Sequence, residues 1–298
     1  MSGGRQEECD DDHGKPAKIN GSESFTPMKS FGSSTGDRLN EKHPRQRILG
    51  VDFFHGSTDQ AVDLFFEGGL VVAPSAPGMV LLPVDQAYRE ALCNADLALL
   101  DSGYMAILWR LLSGERVTRI SGLRFLTALL RDSRFRGASR FWVMPSDEAG
   151  AQIRAWLETR GLAAGEPDCY TAPHYRSGAI VDPALLDLLE ARRPAHVILN
   201  IGGGVQEVLG HWLRENLSYR PGILCTGAAI GFLAGVQTRI PTWVDRCHLG
   251  WLWRIRENPH RYGRRYAASR SLWYLVVRWR RELPRSTEVG GDIPRAKS

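Results

Sequence analysis

Cysteine is scarce and scattered in this chain. The five cysteines of its 298 residues, Cys9, Cys93, Cys169, Cys225 and Cys247, include no C-x-x-C pair. That spacing fits neither a zinc site nor a disulfide framework, and it suits a reducing cytoplasm. The eight histidines form no H-x-x-x-H or H-E-x-x-H pattern, so no dedicated metal site is expected. No run of about 18 apolar residues occurs, so nothing is expected to span a membrane. Residues 1–47 lack an apolar signal-type stretch, and secretion is not expected. Helix-turn-helix, RRM and zinc patterns are missing, which leaves nucleic-acid binding nothing but charge to rest on.

What remains is an ordinary globular composition, 43% hydrophobic and 24% charged, with a net charge of +5. The charge is uneven. Between Arg246 and Arg285 stand eleven arginines against two glutamates, a patch suited to phosphate-bearing ligands or an anionic membrane surface. Residues 1–46 are polar, without apolar periodicity, and are expected to be a disordered tail. Within them Asp10, Asp11, Asp12 and His13 read as a solvated charge run. An α/β core is expected over 47–242 and an Arg/Trp-rich helical appendage over 243–283, with a disordered tail over 284–298.

In the core, strands and helices alternate, which predicts a parallel sheet covered on both faces. Strands are expected at Ile48–Phe54, Leu70–Ala73, Ala95–Leu100, Arg140–Met144, His196–Ile201 and Ile223–Cys225. Helices are expected at Ser57–Phe66, Pro83–Cys93, Tyr104–Leu112, Asp147–Arg160, Pro183–Arg192, from near Val208, and at Gly227–Leu233. The loop Pro74–Gly78 has the composition of a turn and, at a strand's carboxyl end, the position of a ligand loop.

Two strand ends draw the chemistry. Asp101 and Ser102 follow the strand that starts at Ala95; each is either the N-cap of the next helix or a group at the sheet edge where ligands bind. Gly202-Gly203-Gly204 then Gln206 and Glu207 follow the strand that starts at His196. Strand, glycine turn and helix bring backbone close to a phosphate. The turn lacks G-x-G-x-x-G and a Walker lysine, and the plain alternative is a tight turn needing φ > 0. In the appendage, Trp243, Trp251, Trp253 and Trp273 stand among arginines. Four uses suit that mixture: a membrane-interface surface, a phosphate-binding lid, base stacking, or packing onto the core.

With these residues in hand, the chain resembles the WecG/TagA/CpsF family of bacterial glycosyltransferases over roughly 47–275. Ala95-Asp96, Asp101 and Arg119-Ile120-Ser121-Gly122 are similar to its "Ala-Asp … Asp-Gly … Arg-Val-x-Gly" segment. Gly202 to Glu207 is similar to G-x-P-x-Q-E. Gly227 to Pro241 keeps Phe232, Gly235, Arg239 and Pro241 of a third segment. Gly250-Trp251-Leu252-Trp253-Arg254 with Glu257 to Arg261 is similar to "E-W-L-Y-R … E-P-x-R". The resemblance implies a Rossmann-like α/β fold and inverting, metal-independent transfer without a cofactor. An N-acetylmannosamine-type or related sugar would pass from a UDP donor to a polyprenyl-diphosphate-linked acceptor at the inner membrane face, in cell-surface polysaccharide synthesis.

By the same resemblance Asp101 is the expected general base. Arg119, Ser75, Gly202, Gln206, Glu207, Arg254, Arg261 and Arg264 are expected to bind substrate, and no residue to bind metal. Neither nucleic acid nor a spanning helix is implied, and homo-oligomerisation is left open. The chain departs from the pattern in several places. Ala73-Pro74-Ser75 replaces T-x-N, Ser102 the glycine after the aspartate, Gly204-Val205 a Pro-Lys, Arg124 an aspartate, and Gly250 a glutamate. The first of these favours an alternative, a catalytically altered relative that binds lipid diphosphate or membrane.

Overall fold

The computed structural model describes residues 44–162, 168–176, 178–227, 229–236, 252–253, 256 and 269–285. The first two strands, β1 (Arg45–Ile48) and β2 (Val51–Phe54), form an antiparallel hairpin. One strand over Ile48–Phe54 was the expectation; the chain reverses inside it. Leu49 and Gly50 take φ of 51° and 81°, the double left-handed conformation of a two-residue hairpin turn. A buried leucine is an unusual residue there. Leu49 N–H donates to Arg280 O at 2.8 Å and Gly50 N–H to Arg281 O at 3.0 Å, so the turn is held by the far end of the chain.

The other strands are β3 (Gly69–Val72), β4 (Leu97–Ala98), β5 (Arg140–Met144), β6 (Cys169–Thr171), β7 (His196–Leu199) and β8 (Gly222–Cys225). The sheet runs β1-β2-β4-β3-β8-β7-β5-β6, parallel from β2 onward. Its parallel strands are near-continuous apolar runs, as burial on both faces requires. The edge strand β6, short and only partly buried, has no such signal and was not anticipated.

Helices cover both faces. On one lie α1 (Thr58–Phe65), α5 (Gly122–Leu129), α6 (Ser133–Gly137), α7 (Asp147–Glu158) and α10 (Ala229–Ala234). On the other lie α2 (Ala76–Met79), α3 (Gln86–Cys93), α4 (Gly103–Ser113), α8 (Pro183–Arg192), α9 (Val205–Asn216) and α11 (Ser271–Trp279). Most begin at a side chain that accepts the orphan amides of the first turn: Ser57, Asp85, Ser102, Ser121, Asp132, Ser146 and Asp182. The loop Pro74–Gly78 turns into α2, and α9 starts at Val205, earlier than expected, so Gln206 and Glu207 lie in its first turn. The last helix, α11, packs on α4 and buries Leu272, Leu275, Val276 and Trp279 in the main core.

Candidate active site

The parallel register lines up the carboxyl ends of β4, β3, β8 and β7. Val72 pairs with Ala98 and Cys225, and Cys225 with Leu199. The residues that follow, Leu99-Leu100-Asp101, Ala73-Pro74-Ser75, Thr226-Gly227 and Asn200-Ile201-Gly202, therefore open at one mouth of the sheet. That is where open α/β sheets bind ligands.

Asp101 is not the cap of its own helix. Ser102 takes that task, its Oγ accepting from Met105 N–H at 3.1 Å. Asp101 is half-buried, and its Oδ1 accepts from Gly122 N–H, the first amide of α5, at 2.9 Å. No partner for its Oδ2 is present among the described residues. Its backbone oxygen accepts from Arg119 Nε at 2.7 Å. Gly122 packs closely: a Cβ there would lie 3.3 Å from Thr226 Cβ and 3.5 Å from Ala73 Cβ. The amino end of α5 thus rests on the ends of β3 and β8 and holds Asp101 at the end of β4. Ser75 stands at the N-cap position of α2 but makes no capping bond.

On the next strand, Gly204 has φ of 98°, which a side chain would resist. Its N–H donates to Glu207 Oε2 at 2.6 Å, and Glu207 Oε1 accepts from Gln206 Nε2 at 3.1 Å. Gln206 Oε1 then accepts from Gly227 N–H at 2.8 Å. Gln206 and Glu207 are each only 1% exposed. Glu207 closes the glycine turn and orients Gln206, which joins the ends of β7 and β8. Gly202 and Gly203 stay exposed at the rim. Behind them the Cys225 thiol is fully buried, and burial with Glu207 nearby pushes its pKa up, so it is an inert wall.

Three residues at this mouth escaped the sequence reading. Asn200 and Thr226 are 5% and 9% exposed, and neither Asn200 Oδ1 nor Thr226 Oγ1 has a hydrogen-bond partner among the described residues. A polar residue ending an apolar strand reads simply as the strand's end. His55, at the carboxyl end of β2, accepts on Nδ1 from Thr118 N–H at 3.0 Å. Asp96, by contrast, lies at the amino end of β4, away from the mouth. It accepts from Leu70 N–H at 2.7 Å and pairs with Arg220 at 2.7 Å and Arg214 at 3.2 Å.

Arg254, Arg261 and Arg264 lie outside the described residues. Among the described residues, no three His, Cys, Asp or Glu side chains gather as metal ligands. Nor is any helix among the described residues long and apolar enough to cross a membrane.

A three-layered, mostly parallel α/β protein with its polar groups gathered outside the strand ends is the architecture of a ligand-binding enzyme of the doubly wound type. Comparison with known families makes the class specific: the model of the WecG/TagA/CpsF glycosyl transferase family matches residues 46–286. The chain belongs to that family. It is a glycosyltransferase, acting on a sugar donor and an acceptor. No curated protein matches it in sequence.

Proposed function

We propose that the chain transfers a hexose of N-acetylmannosamine type or a related sugar, with inversion, from a UDP donor to a polyprenyl-diphosphate-linked acceptor in cell-surface polysaccharide synthesis. The observation that carries this reading is the Asp101 carboxylate. One oxygen is fixed on Gly122 N–H and the other has no partner among the described residues. A carboxylate so oriented can take the acceptor hydroxyl's proton as that oxygen attacks C1. The C1–O bond to the diphosphate breaks with its electron pair, and UDP leaves. The charge on UDP then needs stabilising by fixed donors. Arg119, beside Asp101, is assigned to it, with the exposed rim at Gly202, the buried Gln206 behind it, and Ser75 on the neighbouring strand end. The appendage arginines Arg254, Arg261 and Arg264 are assigned to close over the diphosphate, a task suited to guanidinium groups. With those charges in place no divalent metal is required.

The place of action is proposed to be the inner face of the cytoplasmic membrane. Ile107 and Leu111 on α4 and Trp273, Tyr274 and Val277 on α11 are exposed large apolar side chains, with Leu111 77% exposed. Arg110 and Arg278 are exposed on the same two packed helices, and Arg270 is exposed at the N-cap of α11. Apolar and basic groups together suit an anionic lipid surface. The second reading, a lipid-diphosphate-binding relative without transfer, draws on Ala73-Pro74-Ser75 in place of T-x-N. A time course of UDP release from UDP-sugars separates the two. Transfer requires release that depends on a polyprenyl-diphosphate-linked acceptor; acceptor binding without release would favour the second reading.

A further inference from the structure

We infer that His55 is a positioning residue for transfer, an imidazole clamp that sets Arg119 in place. The inference rests on the proposed assignment of Arg119 to the donor diphosphate. β2 lies beside β4 with Phe53 opposite Ala98, so His55 ends its strand next to the turn that carries Asp101. Its Nδ1 is 3.0 Å from Thr118 N and 3.1 Å from Thr118 Oγ1. A backbone N–H can only donate, so Nδ1 is the accepting nitrogen and the ring proton sits on Nε2.

Three hydrogen bonds are among those that hold the segment from Thr118 to Gly122. Thr118 N–H is on His55, Arg119 Nε is on Asp101 O at 2.7 Å, and Gly122 N–H is on Asp101 Oδ1 at 2.9 Å. Ile120 is buried between them. Two of the anchors belong to Asp101 and lie at or after Arg119. His55 supplies the only one of the three before it. Upstream the chain runs through Gly114, Glu115 and Arg116, where the helix α4 has already ended at a left-handed Gly114. Without His55, the Arg119 backbone loses its nearest upstream hydrogen bond among those described; the next anchors are Val117, packed on the core, and Glu115, paired with Arg281. Misplacement of a substrate-positioning group by a fraction of an ångström is costly to transfer.

The imidazole is needed only as an acceptor at one point in space, and this makes the test specific. Asparagine places Oδ1 at the position of Nδ1, so His55→Asn keeps the acceptor while His55→Ala removes it. Hydrogen exchange of a peptide spanning 115–122 reads the clamp directly in the full-length protein without any ligand. His55→Ala is expected to speed exchange of these amides about tenfold, and His55→Asn to leave it near wild type. Unchanged exchange in His55→Ala would overturn the clamp. Calorimetric titration with UDP reads the consequence. His55→Ala is expected to weaken UDP binding about tenfold and His55→Asn less than about twofold. In an Arg119→Ala background, His55→Ala should add nothing further, because both act through one group. Full additivity of the two substitutions, or equal loss in His55→Asn with its thermal melting intact, would refute the role. Faster exchange with unaltered UDP affinity would also refute it. Should UDP not bind the wild type at all, the proposed function falls instead, and the exchange measurement still decides the clamp.

Discussion

Asp101 and His196 show how differently two polar residues at strand ends are used. Asp101 is held by one oxygen, and the other has no partner among the described residues. Asp101→Asn is therefore expected to lower turnover by about two to four orders of magnitude, with UDP affinity little changed in calorimetry. Turnover close to wild type would return Asp101 to the structural task of holding α5. His196, at the amino end of β7, is stacked between Phe65 and Phe135 at 4.9 and 5.3 Å and is 5% exposed. Burial, and then the nearby Arg140, push its pKa down to about 4. The unfolded chain binds the proton near pH 6.5 and the folded chain only near 4, so stability is complete above 6.5. It declines as pH falls through that window, by about 3 kcal/mol from this group. Urea unfolding at pH 7 and pH 4.5 checks this; His196→Phe should flatten the decline.

At the scale of elements, α11 and the hairpin turn depend on one another. The helix buries Leu272, Leu275, Val276 and Trp279, and the segment after it satisfies the amides of Leu49 and Gly50. Leu275→Ala is expected to cost about 3 kcal/mol, read as a lower melting temperature. A melting temperature equal to wild type would show that α11 is dispensable to the core. The elements legible in the sequence were those whose local signals agreed. β5 and α8 fall where alternation, apolar content and caps placed them, and Asp101 and Gln206 stood out because they follow apolar strands at turns. The hairpin was illegible because Leu49 is a poor turn residue by composition. Its amides are met by a distant segment, through the carbonyls of Arg280 and Arg281. The same holds for His55 and Thr226, whose positions beside Thr118 and Gly122 come from pairing between strands far apart in the chain.

Across the whole molecule, the mouth of the sheet and the exposed surface of α4 and α11 are linked through α4. Its amino end follows Asp101 and Ser102, and its outer side carries Ile107 and Leu111. Joint charge reversal of Arg278 and Arg280 is expected to weaken binding to anionic vesicles by about 1 kcal/mol or more for each lost charge. Flotation at rising salt should show the wild-type interaction fading as well. Binding that ignores both salt and charge would assign the surface to another partner. Such reversal should leave transfer to a water-soluble acceptor analogue intact, since neither arginine is assigned to the donor.

Transfer itself is proposed to proceed by direct displacement at C1, with the single carboxylate of Asp101 as base and no sugar bound covalently to the protein. Its stereochemistry is the most direct test. The measurement is the anomeric configuration of the new glycosidic bond, read by NMR on product made in EDTA from an α-linked UDP-sugar and a polyprenyl-diphosphate-linked acceptor. Direct displacement predicts a β-linked product formed without added metal; an α-linked product would contradict it.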